Sequence, residues 1–90
     1  MKIEKTLTII NKLGLHARAA TQLAKLTNQF DATVTLYQGD KSANANSVLG
    51  LMMLESSQGK EVRVISEGED AEAAMAAVEQ LIQQRFNESE

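Results

Sequence analysis

The sequence predicts an α+β fold: an open-faced β-sandwich in which a four-stranded antiparallel sheet carries three helices on one face. Three observations lead there. Four segments alternate apolar and polar residues with a period of two, as strands buried on one side only must. Three others carry helical spacing or a cap followed by a dense apolar run. Their order, β-α-β-β-α-β-α, supplies just enough helix to cover one face of such a sheet. At 90 residues the chain is expected to form a single domain, 1–90, with one hydrophobic core.

The first strand is read over Ile3 to Ile10, where Ile3, Lys5, Leu7 and Ile9 alternate with Glu4, Thr6 and Thr8. Asn11-Lys12-Leu13-Gly14 breaks it, and Ala20, Leu23, Ala24, Thr27 and Phe30 then recur on one helical face from about Ala17 to Gln29. Asp31 to Tyr37 is a second strand with Val34 and Leu36 inward, and Gln38-Gly39-Asp40 turns it into a weaker third strand over Lys41 to Ala45. Asn46 or Ser47 can cap a short apolar helix over Val48 to Leu54 that stops at Ser56-Ser57-Gln58-Gly59; a strand is the competing reading there. Lys60 to Ser66, with Val62 and Val64 on one face and Glu61 and Arg63 on the other, is the fourth strand. After Gly68, the acidic residues Glu69, Asp70 and Glu72 open a last helix that buries Ala71, Ala74, Met75, Val78, Leu81 and Ile82 and has Arg85 in its final turn. Asn87 to Glu90 is expected to be a frayed tail.

Composition removes several classes of function. Without cysteine there is no disulfide, thiol nucleophile or cysteine metal site, and one histidine cannot build a zinc centre, so no metal or other cofactor is expected. The charged N-terminal residues lack the apolar core of a signal peptide, and no apolar run approaches membrane-spanning length, so a cytoplasmic protein without a membrane partner is expected. A net charge of −3 and three aromatic residues, Phe30, Tyr37 and Phe86, offer nucleic acid neither a basic footprint nor stacking platforms.

The lone histidine is where chemistry concentrates. His16 follows Leu13-Gly14-Leu15 and stands at the mouth of the first helix, within reach of the unpaired N–H groups of Ala17 and Arg18 and the positive end of the helix dipole. Helix dipole and Arg18 together favour the neutral imidazole that attack on phosphorus requires. Arg18 itself is a cation in a first helical turn, where the dipole disfavours it; a dianion at the same helix end would supply its reason, since a guanidinium offers paired donors to phosphate oxygens. Capping alone accounts for Ser47, although a phosphate there would also sit at a helix N-terminus. The apolar residues of Val48 to Leu54 are too dense for one face, so once Leu51 and Leu54 are buried some of Val48, Leu49, Met52 and Met53 should reach the surface, as a partner site or as further core.

Leu13-Gly14-Leu15-His16-Ala17-Arg18-Ala19-Ala20, followed by Lys41-Ser42-Ala43-Asn44-Ala45-Asn46-Ser47 and by the strand and helix after Gly59, resembles the HPr family of histidine phosphocarriers of bacterial phosphotransferase systems. The likeness spans essentially the whole chain. It implies an open-faced sandwich in which His16 accepts a phosphoryl group on Nδ1 from a phosphorylated Enzyme I and passes it to an Enzyme IIA, a monomeric relay rather than a turnover enzyme. By position, Arg18 matches the arginine beside the phosphohistidine, Ser47 the serine that a kinase modifies in some bacteria, and Ala20 together with Val48, Leu49 and Met52 the partner-docking surface.

Two departures qualify the resemblance. Ala19 stands where the family usually has proline, which leaves the start of the helix less preorganised but adds one N–H. Lysines near the histidine, usual in sugar-type members, are represented by Lys25 but not at Asn28 or Gly50, and Asn11 to Gly14 with Asn46 to Leu54 look instead like the nitrogen-related branch. Nitrogen-type Enzyme I and Enzyme IIA are therefore the expected partners. The readings left open are a sugar-type member, a regulator that binds without transferring, and a small hydrolase resembling an acylphosphatase.

Overall fold

The structure, a computed structural model, describes residues 1–90. The first strand, β1 (Lys2–Thr8), turns Ile3 and Leu7 toward the helices, and Lys5 between them reaches Glu79 at 2.9 Å. An inward charge on a strand at the sheet edge discourages a foreign strand from pairing there. Strand β1 pairs with β4 (Glu61–Glu67) from Lys2↔Glu67 to Thr8↔Glu61, and β4 pairs with β2 (Thr33–Gln38) from Thr33↔Glu67 to Tyr37↔Arg63. Strand β3 (Lys41–Asn44) closes the hairpin with β2 through Gly39, whose φ of +61° suits the turn. The order β1-β4-β2-β3 is antiparallel throughout. Because β4 lies between them, β1 and β2 run parallel without touching, and the chain linking them must cross over the sheet.

That crossover contains helix α1 (Ala17–Thr27); α2 (Val48–Met53) and α3 (Ala71–Gln83) lie on the same side. Their buried residues meet the inward side of the sheet in one core that includes Leu23, Leu36, Leu51, Leu54, Val62, Val64, Met75, Val78 and Ile82. The expected alternation is present in β2 and β4: Val34, Leu36, Val62, Val64 and Ser66 are buried, while Glu61 and Arg63 are exposed. Ser47 settles the choice over Val48–Met53 in favour of helix, its Oγ accepting the Gly50 N–H at 3.1 Å. No helix is long and apolar enough to cross a membrane.

The C-terminus departs from expectation. Helix α3 stops at Gln83, and Arg85 is not in its last turn. Arg85, Phe86 and Asn87 instead adopt φ values of 57°, 52° and 63°, a left-handed turn without glycine. Asn87 to Glu90 is not frayed either. Phe86 is buried, its carbonyl accepts from Gln22 Nε2 at 3.0 Å, Asn87 Nδ2 donates to Gln22 Oε1 at 2.9 Å, and the Lys12 N–H donates to the Glu90 carbonyl oxygen at 2.7 Å. A buried aromatic ring thus anchors a turn that local propensity disfavours. Phe86→Ala should lower unfolding free energy by about 3 kcal/mol; an unchanged denaturant midpoint at constant m-value would show that the ring does not hold the tail.

Candidate functional site

Beyond β1 the chain stays tied to β4: Ile9 donates to Lys60 O at 2.9 Å and accepts from the Gly59 N–H at 2.7 Å. Asn11 is fully buried at the start of the following turn, and its Nδ2 donates to Gly14 O at 2.8 Å and to Glu88 Oε1 at 3.0 Å. Gly14 has φ +67°, and a β-carbon there would lie 2.4 Å from Ser56 O, so this position requires glycine twice over. Leu15 then donates its N–H to the same Ser56 oxygen at 2.8 Å.

This clamped loop delivers His16 as the N-cap of α1 with extended backbone angles (φ −81°, ψ −178°) and no side-chain capping bond. The first intrahelical bond is Ala20 N–H to His16 O at 2.8 Å, which leaves the N–H groups of Ala17, Arg18 and Ala19 outside the helical ladder. The imidazole is 26% exposed. Its Nε2 pairs with Glu88 Oε2, and Arg18 Nη2 stands 3.9 Å from that same oxygen. No hydrogen bond engages Nδ1.

Glu88 was not foreseen, yet its side chain is only 8% exposed at the centre of this constellation. Burial pushes its carboxyl pKa up. Hydrogen bonds from Asn11 and His16, with the electrostatic attraction of the His16 ring and the Arg18 guanidinium, outweigh burial and hold it below the ordinary carboxylate value. A depressed folded-state value means that Glu88 stabilises the fold above its unfolded pKa and loses that contribution as pH falls through the folded one. The Glu88 carboxyl, followed by carbon-13 NMR, should therefore titrate lower in the native protein than in the urea-unfolded chain. A native midpoint at or above the unfolded one would show that the carboxylate is not held as described.

The structure brings His16, Arg18 and the N–H groups of Ala17 and Arg18 together, as expected, and separates other residues. Ala20 cannot dock a partner: it is 0% exposed, because four residues after His16 the helix has turned its side chain into the core beside Leu23 and Ala24. Val48 is half-buried, whereas Leu49, Met52 and Met53 are exposed. Leu13, in the loop before His16, is exposed as well. Its apolar character outside any period was a usable signal; Asn11 and Glu88 offered none. Asn46, next to Ser47, lines a cleft with Thr27 and Asn28 at the far end of α1. The 11 residues of that helix put this end on the order of 16 Å from His16 along the helix axis.

The fold and the histidine-tipped helix define a class. Residues 3–84 match the family described as "PTS HPr component phosphorylation site". The phosphocarrier protein NPr of Shewanella violacea is 52% identical over 88 residues, which cover 98% of this chain and 97% of that protein. Phosphocarrier protein HPr of Xylella fastidiosa is 44% identical over 86 residues, 96% of this chain and 97% of the relative. The crystal structure of HPr from Thermoanaerobacter tengcongensis superposes with a TM-score of 0.92 at 38% identity, covering 98% of this chain and 99% of that one. The chain belongs to the HPr family of phosphotransferase-system phosphocarriers.

Proposed function

We propose that His16 accepts a phosphoryl group on Nδ1 from a phosphorylated Enzyme I and hands it to an Enzyme IIA, in the nitrogen-related branch of the phosphotransferase system. The observation that carries this reading is the start of α1: a partly exposed imidazole whose Nδ1 makes no hydrogen bond, beside three N–H groups that the helix leaves unpaired. These donors and the exposed Arg18 guanidinium can receive the oxygens of a phosphoryl group, spreading its charge without any metal ion or proton transfer. The chain is then a relay: it forms one bond to phosphorus, gives it up to the next nucleophile and turns over no substrate of its own. The 52% identity to the NPr of Shewanella violacea supports the nitrogen-related branch.

His16→Ala, in intact-mass measurements after incubation with phosphoenolpyruvate and Enzyme I of either the nitrogen or the sugar type, should lose an acid-labile phosphoryl adduct that the parent protein acquires. Arg18→Ala should slow acceptance by about tenfold, in line with the loss of one charged donor to a developing anion. An adduct that persists in His16→Ala excludes this histidine, and faster labelling by the sugar-type donor would reassign the branch.

Leu49, Met52 and Met53 are exposed on α2 and Leu13 on the loop before His16, and we assign these apolar side chains to partner docking. Met52→Asp should reduce the transfer rate from Enzyme I about tenfold or more while leaving the thermal midpoint near that of the parent, because a buried unpaired charge weakens an interface but this side chain is not in the core. Equal rates would remove Met52 from the interface. Ser47 is engaged as the cap of α2, and any phosphate placed on its Oγ would compete with the Gly50 N–H bond.

A further inference from the structure

We propose that Glu88 is a positioning residue for the transfer: its carboxylate holds the proton of His16 on Nε2, so that the lone pair is left on Nδ1. The role in transfer rests on the reading of His16 as acceptor, whereas the hold on the ring does not.

Acceptor chemistry carries the first step. An ionised carboxylate has no proton to give, so the imidazole nitrogen that faces Glu88 Oε2 must be an N–H. A neutral imidazole has one such nitrogen, and the other, Nδ1, then carries the nucleophilic pair. The second step is the way Glu88 is itself held. Its other oxygen, Oε1, accepts from Asn11 Nδ2, which also donates to Gly14 O. Both neighbours of that amide group are acceptors, so its NH2 faces them and cannot be exchanged for its oxygen without breaking both bonds. Gly14 in turn is fixed by its contact with Ser56. A rigid series of bonds therefore runs from the loop backbone through Asn11 and Glu88 to one nitrogen of His16.

The tail is built to deliver this group. Three consecutive left-handed residues, Arg85 to Asn87, reverse the chain after α3, and Gln22 binds the turn at two points, on the Phe86 carbonyl and the Asn87 amide. Glu88 follows directly and is nearly buried. The charged groups around it are His16 and Arg18 from the start of α1, with Lys12 from the preceding loop and Glu90 from the tail lining the adjoining hollow.

During transfer, the Nδ1 pair forms the new bond to phosphorus while the donor's bond to phosphorus breaks and its electron pair stays on the donor. The proton on Nε2 does not move. The ring becomes a phosphorylated imidazolium, and the positive charge it gains lies against the Glu88 carboxylate, where little water intervenes to screen it. An orienting carboxylate behind a nucleophilic or basic imidazole is a general device; here it comes from the chain terminus.

The test is nitrogen-15 NMR of imidazole-labelled protein, combined with rates of acceptance from phosphorylated Enzyme I, for the parent, Glu88→Gln and Glu88→Ala. In Glu88→Gln the side-chain oxygen should stay on Asn11, so its NH2 turns to His16 Nε2 and forces the proton onto Nδ1. The tautomer should reverse, and acceptance should fall by about tenfold or more. Glu88→Ala removes the partner without imposing the reverse tautomer and should fall less than Glu88→Gln in rate. Because free imidazole side chains also favour the Nε2–H form, the reversal in Glu88→Gln is the decisive spectrum. A parent protein with its proton on Nδ1, an unreversed tautomer in Glu88→Gln, or parental rates in both variants would overturn the assignment. If the parent accepts no phosphoryl group at all, the acceptor reading of His16 fails, and the Glu88→Gln spectrum still decides whether Glu88 holds the ring.

Discussion

The approach of Gly14 to Ser56 is the constraint on which the functional end of the molecule depends. A β-carbon at Gly14 would come within 2.4 Å of the Ser56 carbonyl oxygen, and Leu15 donates its N–H to that oxygen at 2.8 Å. The loop before α1 is thereby tied to the segment after α2. That segment is fastened in turn to β2, because Gln38 Nε2 donates to Leu54 O at 3.2 Å and Ser56 Oγ donates to Gln38 Oε1. His16 therefore takes its position from the sheet through a backbone bond at Leu15 and the side-chain bonds of Gln38 and Ser56, even though it lies at the end of a loop. Phosphoryl transfer depends on in-line geometry, and displacement of the nucleophile by an ångström is costly. A side chain at position 14 would push the two loops apart just where His16 is aimed.

The C-terminal hook is the opposite kind of construction. Each left-handed residue without glycine costs about 1–2 kcal/mol, and there are three in succession. Burial of Phe86 contributes about 2–3 kcal/mol, and the bonds to Gln22 and from Lys12 contribute about 1 kcal/mol each. The terms nearly offset one another, so the hook is held by its contacts with α1 and the loop rather than by its own conformation. Strain of this sort is tolerated where the structure needs a group aimed in one direction. Here the group is Glu88.

What the sequence revealed and what it concealed follow from the range of the forces involved. Val34, Leu36, Val62 and Val64 declare their strands because one sheet face is dry and the other wet, and Ala71, Ala74, Met75, Val78 and Ile82 declare α3 in the same way. His16 was legible because a unique residue type met a glycine and a helix start. Ala20 lies in the core and not on the docking surface, since proximity in sequence to a site residue says nothing about which side of the helix a residue faces. The hook was hidden more deeply. Asn87 alone of the three favours left-handed backbone, which is too little to announce a turn through Arg85 and Phe86, and the partners that stabilise it, Gln22 and Asn11, are more than 60 positions away. A polar, acidic terminus has the composition of a frayed end, and only tertiary contacts make it otherwise.

Helix α2 shows how a very short element can present apolar side chains on two sides. Its six residues place Val48 and Leu51, with Leu54 just beyond, on the side facing the core, where Leu51 and Leu54 are fully enclosed. Leu49, Met52 and Met53 have the i, i+3, i+4 spacing of a second stripe, and that stripe faces outward. A helix of this length has little stability of its own and relies on the Ser47 cap and the inward leucines. Nothing in the packing of the domain uses the outer stripe. A phosphocarrier must meet a donor and an acceptor with the same surface and leave both, which favours a small patch over an extensive interface. Two methionines suit that demand, since flexible thioether side chains can repack against surfaces of different shape. On the docking role proposed for the outer stripe, the division of α2 would let that face change partners without disturbing the clamp that positions His16.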